Sequence, residues 1–118
     1  MGSVLLVGMG GALGAVGRYG LSLLPWRGDF PLLTLLTNLL GAVLIGFIAG
    51  LAGRGRLNAS GAIFWKTGVC GGFTTFSTFS LESLTLLERG RWLLGGSYML
   101  LSMALCLGAA LGQRLSRL

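Results

Sequence analysis

The chain has 118 residues, of which 53% are apolar and only 10% charged, and its mean hydropathy is +0.83. Soluble domains carry about 25% charged residues, so this chain cannot cover a water-facing surface, and four spans of about 20 apolar residues with short loops use up nearly all of it as one domain, residues 1–118. The net charge of +6 comes from nine basic and three acidic residues with no histidine, which excludes a Ser-His-Asp triad and leaves a His/carboxylate metal site or proton relay almost nothing to work with.

The first apolar run, residues 4–24, has no basic segment ahead of it and is followed by more membrane-like sequence, so it reads as a retained span rather than a signal peptide. The segment Pro-Trp-Arg-Gly-Asp-Phe-Pro then breaks the chain. The second run covers 32–52 and ends in the basic, glycine-rich loop Gly-Arg-Gly-Arg-Leu-Asn-Ala-Ser-Gly. The third segment, 60–88, is apolar in its first half and rich in hydroxyls in its second. After the turn Glu-Arg-Gly-Arg, the fourth run covers 92–113 and leads into a basic tail. The predicted fold is therefore an all-α membrane protein of four transmembrane helices. Its basic residues sit at the ends of apolar runs, where membrane proteins place them, so the partner is a lipid bilayer and not nucleic acid. Cys70 and Cys106 lie within apolar stretches and form no disulfide framework.

An even number of spans puts both termini on one side. That side carries Arg54, Arg56, Arg114 and Arg117, with Lys66 leaning toward it; the other carries Arg27, Arg89 and Arg91, with Arg18 leaning toward it. Orientation follows an excess of positive loop charge, and here the excess is a single charge. Insertion in both orientations, and pairing as an antiparallel dimer, is the expectation. GxxxG spacings at Gly10/Gly14, Gly46/Gly50, Gly68/Gly72 and Gly108/Gly112 fit close helix packing in lipid.

Residues 71–75, Gly-Gly-Phe-Thr-Thr, make a poor helix interior. A break within a bilayer must face protein or a water-filled cavity. Two readings stand: a glycine-rich packing kink, or a broken helix that offers carbonyls to a cation or N-termini to an anion. Beyond the break, Phe76 and Phe79 share one helical face, and Ser77 and Ser80 an adjoining one. Such stripes suit a polar path, and equally they suit packing with interhelical hydrogen bonds. At a rise of about 1.5 Å per residue, Arg18, Asn38, Glu82 and Tyr98 all fall about 9 Å from the same membrane face, with Ser102 near the midplane. Polar groups at that depth face the bundle interior or water. An Arg18–Glu82 pair, snorkelling of Arg18 and an interhelical bond from Asn38 are the structural alternatives.

Three stretches, GGALGAVGRYGLS, TLLTNLLGAVLIGF and GVCGGFTTFSTFSLE, resemble the Fluc (CrcB) fluoride channel family, and chain length and span layout extend the resemblance over the whole chain. The resemblance implies a passive, fluoride-selective channel, not an enzyme, that exports fluoride across the cell membrane and limits its toxicity. It implies an antiparallel dual-topology homodimer with two pores and a central structural Na+ at the break in the third helix, near Gly71–Thr75. The Na+ would be held by the backbone carbonyls of Gly71 and Thr74. The pore residues implied are Asn38, Phe76, Phe79, Tyr98 and Ser102, with Thr34, Thr37, Ser77 and Ser80 along a polar track, and Arg18 and Glu82 at the pore mouth or in structural roles. The rival readings are a small dual-topology multidrug or cation transporter and a non-transporting membrane assembly protein. The first uses an acid in its first span, and residues 4–24 contain none.

Overall fold

The computed structural model describes residues 2–115, with side chains as far as Gln113; Arg117 of the basic tail lies outside the described residues. Helix α1 spans Gly2–Ser22 and α2 spans Leu32–Gly53. A continuous helical run follows: α3 (Ala59–Ala62), a π-helical stretch (Ile63–Cys70) and α4 (Gly71–Phe73). Helix α5 (Phe76–Glu88) and α6 (Trp92–Leu115) complete the chain. No strand occurs among the described residues. Three helices, α1, α2 and α6, are each long and apolar enough to cross a membrane. The third segment is divided in two at Thr74 and Thr75.

Local chemistry sets most of the helix ends. Pro31 precedes α2, where its missing N–H costs nothing. Asn58 caps α3 by accepting the Gly61 N–H at 2.7 Å, and Thr75 caps α5 by accepting the Thr78 N–H at 3.2 Å. Helices α2 and α5 stop in the same way. Gly55 and Gly90 have φ of +71° and +74°, values that suit glycine, and the next amide folds back, Arg56 N–H to Leu51 and Arg91 N–H to Leu86, each at 2.9 Å. This is the Schellman termination.

The first half of the third segment packs on α1 through glycine. A Cβ built on Gly14 would run into the Val69 carbonyl, one on Gly72 into the Gly11 carbonyl, and one on Gly68 would stand 2.9 Å from the Gly10 Cα. Two of the expected glycine pairs, 10/14 and 68/72, therefore face each other across one interface. Gly46 of α2 meets α6 at Ala110, while Gly108 and Gly112 touch nothing. Helices α2, α5 and α6 enclose the core of Leu35, Leu86 and Tyr98, flanked by Phe30, Phe79 and Leu94. Val4, Leu5, Met9, Leu13 and Val16 of α1 point outward, as a lipid-facing surface requires.

Gly71 and Gly72 are still helical; the backbone becomes extended at Thr74 (ψ 156°) and Thr75 (φ −144°, ψ 119°). The glycines in this motif serve close approach to α1, and the β-branched pair after them breaks the helix.

Candidate functional site

The break is held open from α2. Asn38 donates from Nδ2 to the Thr75 carbonyl at 3.1 Å and accepts the Thr75 N–H on Oδ1 at 2.8 Å. It thereby pairs with an extended residue as a neighbouring strand would. This has a consequence one turn back. In a continuous helix the Thr75 N–H would bond the Gly71 carbonyl and the Thr78 N–H the Thr74 carbonyl. Here the first goes to Asn38 and the second to the Thr75 hydroxyl. The Gly71 and Thr74 carbonyls both lose their helical donors. Gly72 is compensated differently, because Arg18 of α1 donates from Nε to its carbonyl at 3.2 Å. Thr74 is pinned by its own hydroxyl, which donates to the Cys70 carbonyl at 2.8 Å, and its methyl fills the space above Gly41.

The break opens onto a groove of about 760 Å³ between α2, the third segment and α6. Asn38, Gly71, Thr74, Phe76, Phe79 and Ser102 all line it, so the structure brings six of the predicted site residues to one surface. Phe76 is 78% exposed there. From it an aromatic ladder runs inward: Phe76 to Phe79 at 5.6 Å, Phe79 to Tyr98 at 5.1 Å, and Tyr98 edge-on to Phe30 at 5.5 Å. Tyr98 is fully buried, and its hydroxyl donates to Glu82 Oε1 at 3.0 Å. One helical turn further along α6, the buried Ser102 hydroxyl has no hydrogen-bond partner.

Other predicted residues stand apart from the groove. Thr34 and Glu82 line a second cavity, of about 320 Å³, under the loop between α1 and α2. Thr37 is buried on α2. Ser77 and Ser80 are exposed on α5, where Ser80 donates to the Phe76 carbonyl at 2.9 Å and the Ser77 hydroxyl lies 3.4 Å from that of Thr75. An Arg18–Glu82 pair does not form, since Arg18 reaches Gly72 and Glu82 is held by Tyr98. Depth alone put these two in one layer; it carries no information about azimuth, and they belong to helices on different sides of the fold.

Sequence reasoning did not single out Thr75, whose cap is what releases the Thr74 carbonyl, although a threonine ahead of an amphipathic run is a legible start signal. Nor did it assign a role to Lys66 and Thr67, which line the groove, or to Ser83, whose buried hydroxyl also lacks a partner. The π-helical stretch that brings Lys66 and Thr67 to the groove has no sequence signal of that kind. Among the described residues no cluster of three or more His, Cys, Asp or Glu forms, and the acceptors at the break that lose their helical donors are the Gly71 and Thr74 carbonyls.

Residues 5–113 match the family profile described as CrcB-like protein, Camphor Resistance (CrcB). The chain is 47% identical over 110 residues to a Nitrobacter winogradskyi protein named fluoride-specific ion channel FluC, covering 90% of this chain and 87% of that one. It is 47% identical over 111 residues to a protein of the same name from Opitutus terrae, with coverage of 89% and 84%. A Methanococcus maripaludis protein, again of that name, is 44% identical over 109 residues, with coverage of 92% and 89%. These matches run over nearly the full length of both partners, and this chain has three helices long and apolar enough to cross a membrane. The chain belongs to the CrcB-like family and is a multi-pass protein of the cell membrane.

Proposed function

We propose that this protein is a passive, fluoride-selective channel that lets fluoride leave the cell, assembled as an antiparallel homodimer of four-span subunits with two pores and a central structural Na+. The observation that carries the reading is the groove at the break, where amide, hydroxyl and aromatic edge converge in a chain of this family. Fluoride is small and strongly hydrated, so each lost water must be replaced by a donor. Asn38 keeps one amide hydrogen beyond its bond to Thr75, and the Ser102 hydroxyl is uncommitted; both can donate. The positive edges of Phe76 and Phe79 add a weak attraction. Several weak sites in series favour passage over capture. Thr34, Thr37, Ser77, Ser80 and Tyr98 extend the polar track, with Glu82 at its outer end.

The Na+ reading is supported by the donor set at the break. Gly71 and Thr74 offer carbonyl oxygens without helical donors on the groove surface, and all-oxygen ligation without a carboxylate suits a hard monovalent cation. Bound there, with the same two carbonyls of a second subunit, Na+ would neutralise four converging dipoles and fasten the dimer at its centre. The inverted partner also accounts for the exposure of Phe76 and for the near-balanced charge of the two faces. The driving force needs no nucleotide, because a membrane potential negative inside expels an anion with about 2.3 kcal/mol per 100 mV.

The test is efflux from liposomes holding the purified protein in Na+, read by fluoride and chloride electrodes side by side. Fast fluoride efflux that needs only an ionophore to balance charge, with chloride retained, is expected. Phe76→Ile and Phe79→Ile should each impair it while leaving the dimer intact on gel filtration. Normal flux in both would remove the aromatic role, and efflux driven by a proton gradient with organic cations would favour a transporter instead.

A further inference from the structure

We infer that Phe30, in the loop between α1 and α2, is a positioning residue for the Tyr98–Glu82 pair, and that the loop thereby keeps the Glu82 carboxylate clear of the path by which fluoride leaves. The inference rests on the channel reading above and adds to it a residue outside the track. Tyr98 is fully buried within one subunit, so its contacts are the same whatever covers the groove. Two rings hold it. Phe79 stands at 5.1 Å on the groove side, and Phe30 at 5.5 Å, turned by 85°, on the loop side. Between them the Tyr98 hydroxyl donates to Glu82 Oε1 at 3.0 Å.

The loop is built to keep Phe30 in place. The Phe30 carbonyl accepts both the Trp26 indole N–H and the Leu32 N–H, each at 2.7 Å. Pro31 follows directly, ahead of α2, and a proline restricts the backbone of the residue before it. Gly28 leaves room for the indole, since a Cβ there would stand 2.7 Å from the Trp26 ring. Asp29 reaches Arg91 in the α5–α6 turn at 2.7 Å. An indole, a glycine and a proline within residues 26–31 thus all serve the placing of one ring. Charge gives that placing its purpose. With Glu82 at the outer end of the track, a carboxylate turned into the path repels an anion, more strongly where the dielectric is low. Held by Tyr98, the carboxylate has one oxygen committed and its direction set. The phenol can hold it only while Phe79 blocks rotation toward the groove and Phe30 blocks rotation toward the loop. Without the Phe30 ring the phenol gains room, its hydroxyl leaves Glu82, and the freed carboxylate faces the ion.

Protein isotopically labelled at tyrosine Cζ and read by NMR tests the positioning directly. It carries two signals, from Tyr19 and Tyr98. Phe30→Leu should move the Tyr98 signal toward its position in Glu82→Ala, where the acceptor is gone, and should leave the signal of the exposed Tyr19 unmoved. In liposome efflux Phe30→Leu should lower fluoride flux by about two- to tenfold, the range that an aromatic pair of this kind spans. Phe30→Tyr keeps the ring and should conduct as wild type. Tyr98→Phe keeps its ring and drops the hydroxyl, so adding Phe30→Leu to it should lower flux no further, whereas an effect on folding alone would multiply. Trp26→Phe, which takes only the indole N–H from the Phe30 carbonyl, is the second variant if Phe30→Leu is not monodisperse, with a smaller shift of the same sign expected. A Tyr98 signal that neither variant moves, or the full Phe30→Leu loss recurring on top of Tyr98→Phe, would overturn the assignment. If the wild type passes no fluoride, the channel reading fails, and the Tyr98 signal still decides whether Phe30 positions the pair. If the wild type conducts and Phe30→Leu matches it, only the role of Phe30 in conduction fails.

Discussion

The two halves of the third segment are held by opposite means. The first half approaches α1 backbone to backbone at Gly10, Gly14, Gly68 and Gly72, with the Phe73 ring beside Gly17. Helix α5 is held through side chains: Phe79 on Tyr98, Tyr98 on Glu82, and Leu86 and Leu87 over Gly95. The first mode fixes position tightly and offers no chemistry. The second leaves hydroxyls and aromatic edges available, and on the proposed reading these serve the ion. Placing the break at their junction lets a rigid half present carbonyls and a side-chain-rich half present donors, with Asn38 setting the geometry between them.

If that division is right, the largest loss should come from the glycine interface. Gly14→Ala would drive a methyl into the Val69 carbonyl, and neither backbone can retreat. Overpacking of this kind costs up to about 3 kcal/mol, and the expected outcome is a large drop in thermal midpoint, read by tryptophan fluorescence in detergent, or failure to fold. Gly8→Ala is the matched control. Nothing lies within 4 Å of Gly8, so stability should hold or rise by as much as about 1 kcal/mol from helix propensity. Equal behaviour of the two variants would break the comparison at its root.

Asn38→Ala comes next. It strips both hydrogen bonds from Thr75, and unpaired buried groups of this type cost about 2–3 kcal/mol in sum. The Thr75 N–H then has an alternative, the Gly71 carbonyl one turn back, so the variant should lose any stabilisation by Na+ more completely than it loses stability. Asn38→Asp keeps the acceptor and forfeits the donor, and should fall between. Thermal midpoints in Na+ against a large organic cation separate the two effects. A midpoint that responds to Na+ as the wild type does would sever Asn38 from the carbonyl site.

Much of this was legible in the residues. The apolar runs gave the helices their places, the glycine spacing announced a close interface, and Gly-Gly-Phe-Thr-Thr marked the break. Which residues of the motif break the helix was not legible, because propensity scores glycine as weak in a helix while the interface with α1 needs glycine there and supplies the packing that keeps it helical. Depth counting grouped Arg18 with Glu82, yet the two have different partners, since one-dimensional counting ignores which way a helix face turns. Asn38 was legible as a buried amide but its partner was not: the match is between a side chain and a backbone segment 37 residues away, which no local pattern encodes. The π-helical stretch was invisible for the same reason.

The smallest effect is expected where the side-chain-held half meets solvent. Arg91 and Asp29 form an ion pair at 2.7 Å between the α5–α6 turn and the α1–α2 loop, with side chains 49% and 63% exposed. Water and salt screen such a pair, and exposed pairs contribute about 0.2–1 kcal/mol. Asp29→Asn, Arg91→Gln and the double variant should therefore show a coupling near the low end of that range, shrinking further in 1 M salt. The loop is also secured without it, since the Trp26 indole donates to the Phe30 carbonyl at 2.7 Å and Phe30 packs edge-on against Tyr98. A coupling well above 1 kcal/mol would mean that the turn, rather than the Tyr98 core, holds α5 in place, and that the two halves of the third segment differ less in how firmly they are anchored than in what they expose.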